Sequence, residues 1–288
     1  MRKLSTSAAV AALAAAGLAA TASTAAAGPP TGIYADFAQC PTNVPNLATC
    51  VLSDTTGGEI KLGNQAVPIT KRIRLQGGYT VDPVTYENTF YGAKNGETLE
   101  KTALDVPGGL LGITIPPSVP QPIRGYLQHA IDTANGVKAT AELVGPVKFS
   151  FGNFANAEGS AVELPVRVKL QNSFLGNNCY IGSAAAPVTF KLTTGTTAPP
   201  SPAQPLSGAT GTADFLDDAN LITLTGASLV DNAYAAPKAS GCGGAFAWAI
   251  DPVVNLKIGL PSAAGKNSAV FNGDAKIAAA TAVVASGN

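Results

Sequence analysis

The chain has 288 residues, 18 basic and 18 acidic, and no net charge at neutral pH. Charged residues make up 12% of it, about half the ordinary level, and no basic cluster of the kind nucleic-acid binding needs is present. Hydrophobic residues, at 46%, suffice for the core of one sizeable domain.

The chain opens with Arg2 and Lys3, an apolar run over 8–20, and the small residues Ala25, Ala26 and Ala27. This is the pattern of a secretory signal peptide, with cleavage expected before Gly28. The run is too short and too alanine-rich for a membrane-spanning helix. No cysteine follows it until Cys40, so a lipid anchor is not expected. The expected mature chain, 28–288, is a single exported β-rich domain without a transmembrane helix. It loses two of the 18 basic residues and no acid, leaving 16 basic against 18 acidic residues, a net charge of about −2.

Four cysteines in an exported chain point to disulfides. Of the three possible pairings, Cys40–Cys50 with Cys179–Cys242 is preferred. The first pair brackets a short Pro/Asn loop, and the second joins two Gly-rich turns. On the loop-entropy model they stabilise by about 3 and about 4 kcal/mol. A metal site is the rival, but there is no Cys-x-x-Cys and only one histidine.

Residues 28–36 read as an N-terminal arm. Val67, Ile69, Ile73 and Leu75 alternate with Thr70, Arg72, Arg74 and Gln76, which predicts one strand ending at Gly77-Gly78. Lys71 falls in its apolar column and reads as a snorkelling side chain at a sheet rim or an edge mark. Residues 84–91 and 97–106 are further strand candidates around a turn at 92–96. The stretch 107–117 is apolar but broken by glycine and proline. It reads as a loop packed on the core, or a flap over an apolar groove. Pro122, Ile123, Tyr126, Leu127, Ala130 and Ile131 have helical spacing, and Asn135-Gly136 supplies a stop. That helix carries His129, the only histidine.

Strands are predicted over 137–144 and 147–154. The clearest pattern follows. Val162, Leu164, Val166, Val168 and Leu170 alternate with Glu163, Arg167, Lys169 and Gln171, and the pattern returns at Val188, Phe190 and Leu192. One apolar and one charged face mean a half-buried antiparallel sheet. A proline-rich connection over 195–205 leads to predicted strands at 206–213, 221–230 and 245–250. The last places Phe246, Trp248 and Ile250 on one face. Asp251 and Pro252 read as the cap and first position of a short helix, and 273–284 as a closing strand. The predicted fold is mainly β: an antiparallel β-sandwich or barrel-like sheet pair, with one short helix around 122–134.

No Gly-x-Ser-x-Gly, His-Glu-x-x-His or phosphate-binding loop is present, so no catalytic residue, cofactor or resident metal is expected. Asp214, Asp217 and Asp218 form the densest carboxylate group and the one calcium alternative, although their spacing matches no defined loop.

Several segments carry a resemblance: 35–41 around Cys40, 139–145, 176–183 around Cys179 with 193–200, and 241–244 around Cys242. With these the chain resembles a group of uncharacterised secreted proteins of high-GC Gram-positive bacteria. The resemblance implies export and brings no activity or site with it.

The expected function is that of an exported non-enzymatic β-protein, secreted or associated with the cell envelope, in a binding or structural role. Its expected partner is a cell-wall polymer, a lipid or another exported protein; a small apolar ligand held under 107–117 is a variant. The alternatives are a secreted hydrolase using scattered carboxylates and an envelope channel-like β-assembly.

Overall fold

The structure, a computed structural model, describes residues 28–85, 87–109, 120–121, 124–125 and 135–288. The predicted signal peptide, most of 107–117 and, apart from Arg124 and Gly125, the predicted helix around 122–134 with His129 lie outside the described residues. Among the described residues fourteen strands form two antiparallel sheets of seven, packed as a sandwich. Each sheet has two free ends to its strand order, so neither closes into a barrel.

The first sheet is built on β1 (Thr49–Leu62). Strand β14 (Ser268–Ala279) pairs with it along nearly its whole length, from Thr49 opposite Ala279 to Lys61 opposite Ser268. The other edge is shared. Strand β2 (Gln65–Pro68) covers Glu59 to Leu62, and β3 (Ile73–Val81) covers Thr49 to Thr55. Strand β4 (Asn88–Gly92) lies beyond β3; β12 (Leu221–Asp231) and β11 (Thr212–Leu216) lie beyond β14.

The single strand predicted over 67–76 is therefore two. A bulge in β1 between Thr55 and Gly57 falls opposite the break, and Pro68 brings no N–H to continue the ladder. Lys71 sits in this break, exposed, with its Nζ 3.2 Å from the Ala103 carbonyl and 3.3 Å from Asp105. Beside the bulge Gly58 has φ +105°, and a Cβ there would lie 1.9 Å from the Val270 carbonyl oxygen. Only glycine fits that position.

The second sheet is built on β8 (Val162–Gln171), whose residues alternate buried and half-buried from Val162 to Leu170. Both of its edges are shared. Strands β7 (Lys148–Phe149) and β6 (Val137–Leu143) lie on one, β10 (Val188–Leu192) and β9 (Tyr180–Ile181) on the other. Strand β5 (Ala103–Val106) extends the sheet past β6, and β13 (Ala239–Ser240) past β9. The outward face is polar. Arg167 donates to Glu142 at 2.9 and 2.7 Å, and its guanidinium lies 4.1 Å from the Tyr180 ring centroid.

Three other predicted strands change. Residues 147–154 form β7 and then helix α1 (Phe151–Asn156), because Ser150 caps Asn153 N and the i, i+3 pair Phe151 and Phe154 is buried. The strand predicted from 206 begins only at Thr212, since Ser207 and Ala209 make isolated bridges to Thr196 and Ser228. The closing strand stops at Ala279, and α3 (Ala280–Ala285) follows with Val283 buried. The main core draws on both sheets, with Val166, Val188 and Phe190 against Ile222, Leu224 and Ile277. The Phe190 ring meets Tyr234 and Phe271 edge-on, at 4.9 and 5.8 Å between centroids.

Candidate functional site

Residues 245–250, predicted as a strand, belong instead to a short 3-10 turn and to helix α2 (Ala247–Ile258). Pro252 lies inside this helix rather than at its start. Asp251 is not the N-cap either. Its carboxylate accepts from Gly241 N at 3.1 Å and Cys242 N at 2.8 Å. Asn255 completes the clamp, accepting from Ala239 N at 2.7 Å and donating to Ala239 O at 2.9 Å. Together these two side chains hold α2 against β13 and the loop after it.

The same loop carries a disulfide. Cys179–Cys242 and Cys40–Cys50 are both formed, the pairing preferred from spacing. Cys179–Cys242 fastens the approach to β9 to the approach to α2. Beside it Gly243 N donates to Leu175 O at 2.7 Å. The helix is thus fixed over one end of the sandwich by a covalent bond and charged or amide hydrogen bonds.

Beneath α2 the sheets do not fill the space between them. A cavity of about 230 Å³ lies there. Ile60 and Leu62 of β1 and Val67 of β2 line it from the first sheet. The second sheet contributes Val168 and Leu170 of β8, Ile181 of β9 and, from β6, Ala139 and Ala141 beside Val137 at its start. In register these alanines stand opposite Leu170 and Val168, so one side of the strand pair is nearly without side-chain bulk. Ile250, Val254 and Ile258 of α2, spaced four residues apart, close the end. Gly109 also borders the cavity.

Polar and exposed groups border the cavity too: Gln65, Glu100, Thr102 and Lys257, with Phe174 and Val253. Gln65 Nε2 donates to Pro107 O at 3.1 Å, and Thr102 Oγ1 to Arg72 O at 2.8 Å. Glu100 pairs with Arg72 at 3.4 Å. The interior therefore offers dispersion and area burial, and the rim offers one cation, Lys257, one carboxylate already paired with Arg72, and the neutral dipoles of Gln65 and Thr102. Such a space suits an apolar molecule.

Two interior polar networks, around Asn267 with Tyr234 and around Asp231, are satisfied within the protein. Asn267 accepts from Gly63 N and Ser262 Oγ and donates to Tyr234 O and Ala263 O. The Tyr234 hydroxyl lies 2.9 Å from the carbonyls of Lys61 and Ser268, and burial raises its pKa far above the ordinary phenol value. Burial likewise raises the Asp231 carboxyl, against the pull of N–H donors from Lys191 and Ala233. These networks fix turns and have every partner they need.

The three carboxylates of the calcium alternative lie on the surface. Asp214 lies on β11, and Asp217 and Asp218 in the 3-10 turn beyond it, all exposed. Among the described residues no group of three or more His, Cys, Asp or Glu converges as a metal site. No helix among the described residues is long and apolar enough to cross a membrane. Sequence reasoning placed a short helix from Asp251 onward, which is the larger part of α2, but missed its first turn and the cavity. The four-residue spacing of Ile250, Val254 and Ile258 was the available signal for the helix. Comparison with family models, with curated proteins and with solved structures returns no match.

Proposed function

We propose that the protein is an exported, non-enzymatic binding protein that holds a small apolar ligand between its sheets. The cavity under α2 carries this reading. An apolar space of about 150 Å³ already takes a benzene-sized guest, and this one measures about 230 Å³. It encloses roughly ten non-hydrogen atoms on that scale, and a longer molecule would project past Phe174 and Val253. The two disulfides fit an oxidising compartment, in keeping with the export pattern at the start of the chain.

Binding is tested with naphthalene and decanoic acid as probes, by calorimetry and thermal unfolding. A probe at a hundred times its Kd adds about 2.7 kcal/mol of stability. In a domain of this size that raises Tm by about 5–10 °C. The substitution Ala141→Leu should remove saturable binding while the fold stays intact. Absence of saturable binding for both probes, or unchanged binding in Ala141→Leu, contradicts the proposal.

A further inference from the structure

We infer that the outer face of α2 docks the protein on a lipid surface, with the cavity mouth turned toward the acyl layer. The inference rests on the ligand reading above for its purpose, but not for the docking itself. Eight large hydrophobic side chains are exposed among the described residues, and five of them gather here: Phe174, Phe246, Trp248, Val253 and Leu256. Trp248 is 80% and Leu256 83% exposed. The loop that carries Phe174 is joined to the start of the helix segment by the Gly243–Leu175 hydrogen bond, so the five form one surface.

A helix on a water-facing surface carries polar residues on its outer side. Helix α2 does not. Ile250, Val254 and Ile258 face the cavity, while Trp248, Val253 and Leu256 face out. Its only charges are Asp251, turned to the backbone of Gly241 and Cys242, and Lys257, exposed at the cavity rim. An apolar face bearing tryptophan, with a long cationic side chain at its border, matches an acyl layer below anionic headgroups.

Continuity with the cavity selects a lipid surface over other occupants. Phe174 and Val253 belong both to the exposed patch and to the cavity wall. A protein seated on the patch would cover the mouth. A lipid layer against the same patch would place the mouth where sparingly soluble apolar molecules are dissolved.

Trp248 is the only tryptophan in the chain, so its emission reports the contact directly. The titrant is vesicles of phosphatidylcholine mixed with phosphatidylglycerol, with flotation as the second readout. Emission should move to shorter wavelength and saturate, and the protein should float with the vesicles. Leu256→Glu, at an exposed position, should lower partitioning about tenfold or more without changing the unfolding midpoint. Lys257→Gln should weaken binding to phosphatidylglycerol-containing vesicles and leave binding to pure phosphatidylcholine unchanged. Ala141→Leu should float as the wild type does, although it no longer takes naphthalene.

Unchanged Trp248 emission with lipid, or wild-type flotation of Leu256→Glu, overturns the docking. So does an emission shift that follows protein concentration without lipid, which would identify a second copy as the occupant. Naphthalene binding without vesicle binding would overturn the docking alone. Vesicle binding without binding of either probe would overturn the ligand reading and leave the docking standing.

Discussion

The apolar space under α2, about 230 Å³, is more than fourfold larger than another between the sheets, about 50 Å³. The residues explain the difference. Around the smaller space stand Phe90, Phe149, Phe154 and Phe271, and the Phe149 ring lies 5.5 Å from that of Tyr79. Around the larger one the strands supply mostly aliphatic side chains, with Phe190 the one strand ring, and β6 supplies alanines where its neighbour carries Leu170 and Val168. Protein interiors are ordinarily filled to crystal density. On the scale of about 24 cal/mol per Å³, the larger space costs about 5 kcal/mol when empty. A packed core gains nothing from such a void, whereas a binding site needs it.

The contrast predicts how each end responds to truncation. Phe154→Ala at the filled end should cost about 3–5 kcal/mol, the usual penalty for a buried ring. Leu170→Ala at the open end should stay near the lower limit for its type, about 2–3 kcal/mol, because part of that side chain already faces empty space. Urea unfolding of both variants measures this. Equal losses, or a larger one for Leu170→Ala, would break the comparison.

Filling sharpens the comparison from the other side, with a smaller effect. Ala141→Leu adds side-chain volume where the cavity has room, so it should stabilise by about 0.5–2 kcal/mol. The same enlargement in a filled core costs about 1–3 kcal/mol. A lower unfolding midpoint for Ala141→Leu would mean that the space is not open in solution.

The two sheets also differ in how plainly their residues declare them. Strand β8 shows a clean alternation because one face packs and the other carries Glu163 and Arg167 into pairs with Lys148 and Glu142, and Lys169 toward the Tyr180 ring. Strand β1, the centre of the other sheet, passes unread in the amino-acid pattern. Its Asp54, Gly57 and Gly58 look like turn residues, yet Asp54 pairs with Arg74 at 2.7 Å and the glycines serve a bulge. The first turn of helix α2 is misread for a related reason: Phe246, Trp248 and Ile250 mimic the alternation of a strand, while the part from Asp251 onward is read as helix. The cysteine pairing is legible only as a preference among three, carried by the short spacing of Cys40 and Cys50 around one loop. The cavity is not, because it depends on Ala139 and Ala141 meeting Leu170 and Val168 across a register that only the fold sets.

The smallest expected effect concerns Asp231, buried at the junction where Thr193 bridges to Val230. Loss of water around the carboxylate raises its pKa, and the Lys191 and Ala233 N–H groups only partly offset this. An acid raised in the folded state holds its proton more tightly there than in the unfolded chain. Its contribution is therefore fully present below the ordinary carboxylate range, and it is lost as pH rises from that range through the folded-state value. The substitution Asp231→Asn should lower stability at every pH, since the amide presents one acceptor to two N–H donors. It should also remove the downward slope that this carboxyl contributes over that window. The slope of unfolding free energy against pH is the informative readout, because a loss of packing alone would shift the curve without changing its slope.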